Sequence, residues 1–402
     1  MKFSDIIGQP VVKQQLVELV QNNRLSHALL FLGKEGNGSL QLAIALAQYI
    51  TCQQTTNHSP QSTANSLFDD PLPLLHEERR PRGEACGTCP SCKKAEQLVH
   101  PDIHFSYPVV TKKPGTPPIS SDYITEWRDF IKAYPYGNVY DWLQFIRAEN
   151  KQGNITAHEC NDIIRKLSLK SFESEYKILI MWMPEYLGNE GNKLLKLIEE
   201  PPANTLFILV AENESLILPT ILSRCQFIKI PPLEVEEIEQ ALITRNNTDK
   251  ATALQIAGIS EGNYREALQL VQHAEEDWQS LLREWLNAIL KAGPVAQTKW
   301  VEEVSRLGRE NQKQFLRYFN HLLEQAIRYR VMGENIYLPE NEKDFATRLN
   351  KIADVAQQQA MIEELDKSTY YIERNANTKI LFHALTIKLY HIIQDKIVFL
   401  AT

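Results

Sequence analysis

No apolar run in the chain comes near the roughly 18 residues that a membrane-crossing helix needs, so no bilayer span is expected. Behind Met1-Lys-Phe-Ser-Asp5 there is no apolar stretch of the kind that drives secretion, and a cytoplasmic protein is expected. Cysteine is scarce, with six in 402 residues. In a reducing compartment those six are metal ligands or core residues rather than disulfides. An excess of positive charge is missing too. The formal net charge is −7, which excludes a surface that binds nucleic acid everywhere, though not a local basic face. The rest of the composition is ordinary: 43% hydrophobic and 23% charged, enough for sizeable cores in roughly two to four domains.

Two further absences fall inside a pattern that calls for the missing residues. Val12, Leu16, Leu19 and Val20 repeat at helical spacing after Pro10. His27 to Leu32 is then a short apolar run that passes straight into Gly33-Lys-Glu-Gly36-Asn-Gly38, and Leu40 to Ile50 has the content of a helix. Strand, glycine-rich turn and helix make the setting of a phosphate loop, G-x-x-x-x-G-K-[ST]. Gly33 and Gly38 fill the two glycine positions, but Ser39 stands where the lysine belongs and Leu40 where the hydroxyl belongs. The lysine would reach the terminal phosphates and the hydroxyl would hold Mg²⁺. Three glycines making a tight turn are the plain alternative; the flanking strand and helix favour a degenerate phosphate loop. Lys177 to Met183 reads as a buried strand. In a nucleotide-hydrolysing domain of this architecture it would end in an acidic pair that holds Mg²⁺ and orients water. Here those positions are Trp182 and Met183. Losses in two separate elements point to a site without its chemistry, and no ATP is expected to bind this chain.

Cys86-Gly-Thr-Cys89-Pro-Ser-Cys92 sets three thiolates on consecutive tight turns, a claw for a tetrahedral ion. Cys52, at the end of the helix after the glycine loop, is the natural fourth ligand, with His58, His76, His100 and His104 as replacements. The intervening Gln53–Ala85 is polar and proline-rich and reads as a loose loop. Four cysteines with no open position suit structural Zn²⁺; an iron–sulfur cluster is the competing reading.

Further on, His100 to Pro108 reads as a strand, and residues 122–149, rich in aromatics, read as two short helices in an insertion whose Trp127, Tyr134, Tyr136 and Trp142 suggest packing. Ile155–Leu167 reads as a helix. Leu187, Leu194, Leu195 and Ile198 mark another, stopped at Glu199-Glu200-Pro201-Pro202. Thr205–Ala211 is a strand. Ile221-Leu222-Ser223-Arg224-Cys225 then connects it to a further strand, Gln226–Ile230, and so holds one guanidinium at a rigid edge. An ordinary salt bridge is the plain reading of Arg224. From Val235 onward the pattern is helical. Arg265, in the helix opened by Gly262-Asn-Tyr-Arg265, could sit over a nucleotide, but beside a ruined loop a structural role is favoured. Residues 275–402 lack strand patterns, and Leu381, Leu385, Leu389 and Ile392 line the last helix.

Taken together, Phe3-Ser-Asp-Ile-Ile-Gly-Gln9, Ser26-His-Ala-Leu-Leu-Phe31, the Gly33–Gly38 loop, the four cysteines, Asn192 to Pro202, Ser223-Arg224-Cys225 and Gly262–Leu268 resemble the delta-prime family of bacterial DNA polymerase III clamp-loader subunits, in the AAA+ superfamily. The resemblance runs to about residue 272 and more weakly beyond. It implies an α/β fold: an AAA+ type P-loop parallel sheet with helices on both faces and a zinc-binding insertion, then a helical lid and an all-helical C-terminal oligomerisation domain. The implied boundaries are 1–232 for the AAA+ domain, with the zinc module at about 52–92, then 233–274 for the lid and 275–402 for the helical collar. The implied assembly is a hetero-pentameric arc of tau/gamma motor subunits, the clamp-opening delta subunit and this one. It opens a sliding clamp and loads it on primed DNA, whose backbone could meet helix N-termini inside the arc. In that arc a delta-prime subunit is a rigid stator whose Arg224, with Ser223 and Cys225, enters the ATP site of a neighbouring motor subunit. A self-sufficient ATPase motor, and a zinc-containing DNA-binding adaptor outside replication, are the alternatives. The loop before Cys86 and the insertion near 111–150 depart from the family pattern.

Overall fold

The architecture was read from a computed structural model, which describes residues 1–54, 83–112, 115–148, 151–272, 278–333, 340–373 and 376–396. Two compact units emerge, Met1–Ala267 and Leu268–Thr402. Five parallel strands form the sheet of the first: β1 (Ala28–Leu32), β2 (Ile103–Ser106), β3 (Lys177–Trp182), β4 (Thr205–Ala211) and β5 (Gln226–Lys229), in the order β2-β3-β4-β1-β5. The central three read as unbroken apolar runs because both of their faces are covered. Leu29 and Phe31 point into one core with Ile178, Ile180, Leu206 and Ile208. Ala28 and Leu30 point into the other with Leu179, Met181, Phe207 and Leu209. The register pairs Leu30 with Leu209 and Leu29 with Gln226.

Helices α1 (Pro10–Gln21), α2 (Ser39–Thr51) and α3 (Pro90–Glu96) come before β2, and α4 (Ile124–Ala133), α5 (Val139–Phe145) and α6 (Ala157–Ser168) before β3. The insertion is an aromatic core, as its composition suggested. Tyr107 stacks on Trp127 at 3.9 Å, Trp142 meets Trp127 edge-on at 5.3 Å, and both tryptophans are fully buried. Tyr134, by contrast, is half exposed. The single helix expected through Leu187 and Ile198 is a correction. Residues 184–194 form tight 3₁₀ turns broken at Gly188 (φ 50°, ψ −140°), and only α7 (Leu195–Glu199) is α-helical. Gly188 reaches a conformation that Cβ-bearing residues avoid, and the turn it makes interrupts the ladder. The strand expected at 100–108 pairs only over β2, four residues.

After α8 (Pro219–Leu222) and β5 come α9 (Val235–Asn246), α10 (Lys250–Ile259) and α11 (Tyr264–Gln272), the elements of the expected lid; the first unit ends inside α11. In the second unit the described residues hold helices and no strand: α12 (Trp278–Asn287), α13 (Gly293–Val304), α14 (Arg309–Met332), α15 (Glu340–Ile352), α16 (Val355–Glu373) and α17 (Thr378–Gln394). Their core is aromatic. Trp285 stacks on Trp300 at 4.5 Å, and its indole N–H donates to Thr386 Oγ1 at 3.0 Å.

Candidate functional site

The glycine loop leaves the carboxyl end of β1, between β4 and β5, where the strand order reverses. This is the crevice in which open α/β sheets bind ligands. Gly36 (φ 73°) and Gly38 (φ 90°) take left-handed conformations, and the turn is fastened by a buried side chain. Asn37 Nδ2 donates to Ile230 O at 3.0 Å, while its Oδ1 accepts from Ser39 N at 3.1 Å and Ser39 Oγ at 2.6 Å. The Ser39 hydroxyl is therefore committed inside the protein, and Leu40 is buried beside it. Across the crevice Trp182 and Met183 are also buried and apolar. The loop's lysine position thus supplies no cation, and Leu40 and the Trp182–Met183 pair supply no magnesium ligand.

The crevice is also small. It encloses about 30 Å³, room for a few waters at most, against about 300 Å³ or more for a small-molecule site. Tyr136 and Gly137 of the insertion form part of its wall. Glu35 lies within the loop, and Glu212 stands at the end of β4. Arg265 is buried and turned onto carboxylates: Nε and Nη2 donate to Asp141 at 2.5 and 2.6 Å, and Nη1 donates to Glu35 Oε1 at 3.0 Å.

Glu212 keeps part of its surface open to solvent, yet burial of its carboxyl, then the nearby Glu35 and Glu185, push it up to about 8 from an ordinary 4.5. A raised carboxyl pKa means the folded chain holds a proton that the unfolded chain has released above about 4.5. Stability from this group is thus present below that value and lost as pH rises toward 8. Glu212→Gln is expected to leave the melting temperature near pH 5 unchanged and to raise it above pH 8, with solvent exposure limiting the size. Scanning calorimetry at the two pH values checks this.

The second constellation is the cysteine cluster. Cys52 follows α2 directly, Cys89 caps α3 and Cys92 lies in its first turn, so two helix ends and the Cys86 turn converge. All four sulfurs lie within 4.8 Å of one another, and Cys86 Sγ is 3.8 Å from Cys92 Sγ. Ligands about 2.3 Å from a tetrahedral zinc stand about 3.8 Å apart. Backbone N–H groups of Cys86, Thr88, Cys89 and Cys92 point at the sulfurs at 3.3–3.4 Å, the way thiolates are held. The hydrogen bond to Cys92 pulls the Cys52 thiol down, while that bond and burial push Cys92 upward. A dication bound here would displace the thiol protons. These residues fit one tetrahedral metal ion. His100 is not among them: its Nε2 lies 3.0 Å from Ser91 Oγ and 3.1 Å from Glu173, and Ser91 Oγ donates to Thr51 O at 2.6 Å, bracing the cluster from outside. His104 is outside it as well, and His58 and His76 lie outside the described residues.

Arg224 follows α8 and precedes β5, an edge strand. Its Nη1 donates to Thr220 O at 2.6 Å and to Ser223 Oγ at 3.2 Å, its Nη2 pairs with Glu199, and a third of the side chain is exposed. Burial pushes the neighbouring Cys225 thiol up to about 11, so Cys225 is packing, not a nucleophile. Because β5 runs parallel to β1 with Gln226 level with Leu29, Arg224 lies at the amino end of the sheet and the glycine loop at the other. The four steps from Leu29 to Gly33 alone separate them by about 13 Å at about 3.3 Å each. The crevice and Arg224 are not one site.

Sequence reasoning placed the loop, the cysteines and Arg224 but missed Glu35, Tyr136 and Asp141. A signal was present in the first of these: an acid inside a loop whose pattern is made for anions.

A parallel α/β sheet with a phosphate-loop turn that lacks its lysine and the hydroxyl after it, a four-cysteine clasp, and an arginine at the other end of the sheet define a module of the phosphate-loop type. The chain belongs to the family described as DNA polymerase III, delta subunit, whose model matches residues 8–68 and 73–234. It is similar to DNA polymerase III subunit delta' of Bacillus subtilis, 26% identical over 267 residues, covering 66% of this chain and 60% of that one. It is 24% identical over 319 residues to subunit delta' of Escherichia coli, covering 78% and 74%. It also resembles Escherichia coli subunit tau, 23% identical over 278 residues, covering 68% of this chain and 33% of that one. The chain thus spans less than two thirds of the first and third of these relatives.

Proposed function

We propose that this chain is a non-catalytic, delta-prime-like stator of a bacterial replicative clamp loader. It binds no nucleotide itself and lends Arg224 to the ATP site of an adjoining tau/gamma-type motor subunit. Its other neighbours are the delta subunit, the sliding clamp and, through the complex, primed DNA; the cysteine cluster holds structural Zn²⁺, and the setting is the cytoplasm.

The observation that supports the reading is the sheet register, which holds the partly exposed guanidinium at the opposite end from the chain's own small crevice. An arginine so placed can meet a triphosphate only on another molecule. Its planar fork bridges phosphate oxygens, and a lysine would not reproduce it. Glu199 neutralises it meanwhile; an exposed pair of this kind is worth about 0–1 kcal/mol, little to give up for phosphate.

Calorimetric titration of the isolated chain with a non-hydrolysable ATP analogue and Mg²⁺ is expected to give no heat of binding. Saturable binding, or ATP turnover by the chain alone, would overturn the reading in favour of a motor subunit.

A further inference from the structure

We propose that the insertion supplies, from within the chain, the bridge that a nucleotide would make between the glycine loop and the helical lid. Residues 136–141 act as a built-in surrogate ligand that keeps the lid shut.

The contacts follow one another across the crevice. The Tyr136 ring lies over the loop so closely that a Cβ on Gly38 would meet its Cε1 at 3.3 Å. Its hydroxyl accepts from Ile7 N at 3.0 Å, and its ring meets Tyr264 of the lid edge-on at 5.0 Å. Asn138 Nδ2 donates to Glu35 Oε2 at 2.9 Å, tying the insertion to the loop. Asp141, in the next turn, takes the fork of Arg265 with two oxygens. That is how an arginine grips a phosphate, and here a carboxylate of the same chain stands in its place. Glu35 takes the third nitrogen and also accepts from Asn263 Nδ2 at 3.3 Å.

Lid and loop touch directly as well. Tyr264 N donates to Gly36 O at 3.1 Å, and a Cβ on Gly36 would collide with Asn263 Oδ1 at 1.8 Å. The three segments sit more than a hundred residues apart in sequence, at 35, 136–141 and 263–265, yet share one ion cluster around the buried Arg265. A lid closed by nucleotide opens when the nucleotide leaves. This bridge is covalently part of the chain and does not leave. The inference concerns only the isolated first unit and stands whether or not Arg224 serves a neighbour.

Hydrogen exchange followed by mass spectrometry on the full chain tests it with two variants. Asp141→Asn keeps the shape that caps α5 but removes the charge facing Arg265. Glu35→Gln removes the loop-side carboxylate and leaves the capping bonds that Asn138 and Asn263 accept from Asp141 N and Glu266 N in place. Each is expected to speed exchange in α9, α10 and the start of α11 by about tenfold, while β1, β3 and β4 keep their protection, the signature of local opening. Lid exchange unchanged in both variants would overturn the proposal. So would a rise spread evenly over sheet and lid, since that marks general destabilisation. Should Asp141→Asn fail to fold, Glu35→Gln decides alone.

Discussion

Replacing Arg224 by alanine or lysine in a reconstituted loader is expected to slow hydrolysis at the adjoining motor site by about 10³–10⁵, the usual reach of an arginine supplied in trans. Assembly should persist. Arg224 sits in a turn between α8 and edge strand β5, its side chain is a third exposed, and its bonds run to Thr220, Ser223 and Glu199 of the same surface. Removing it therefore opens no cavity and strands no buried partner, so the fold has little at stake. Lysine should fail like alanine, because a single ammonium cannot hold two phosphate oxygens in one plane. Single-turnover ATP hydrolysis beside size-exclusion profiles separates lost catalysis from lost assembly. A wild-type rate in the assembled variant would reduce Arg224 to its ion pair with Glu199.

The second large effect is expected at the cysteines. Purified chain should carry about one zinc per molecule, and Cys89→Ala or Cys92→Ala should abolish it. Cys52 closes α2, the helix whose first turn follows the glycine loop, and Ser91 holds the carbonyl of Thr51. Losing the ion therefore loosens one end of the helix that supports the crevice. Structural zinc contributes about 10–16 kcal/mol of binding free energy in small peptides at neutral pH. If even about 4 kcal/mol of that is felt here, the first unit's melting temperature falls by about 8–16 °C. Elemental analysis and melting curves before and after chelation, with recovery on adding zinc, check this. Iron in place of zinc, or no metal in well-folded protein, would overturn the assignment.

Much of the sheet and of the cysteine cluster was legible in the sequence, for definite physical reasons. Strands covered on both faces have no polar alternation to disguise them, so Leu29–Leu32, Ile178–Met181 and Leu206–Val210 stand out as runs. Three cysteines two residues apart leave few geometries open. The replacement of the phosphate loop's lysine and hydroxyl residues shows at Ser39 and Leu40 in the sequence itself. The illegible features depend on distant residues meeting. Neither Asp141 nor Arg265 has a local pattern that names the other, and Tyr136 looked like one more packing aromatic among many. Gly188 hid in an apolar spacing that suits a helix, because spacing reports which face is buried and not whether the backbone stays hydrogen-bonded along the way.

The parallel register of β5 and β1 sets Arg224 at one end of the sheet and the glycine-loop crevice at the other, so under the proposed function the module has a direction. In a row of such modules each member would give to one side and take from the other. Under the proposed function a member whose own cleft takes no nucleotide would give but never take, so its place would be at a terminus, where the row stops growing in that direction.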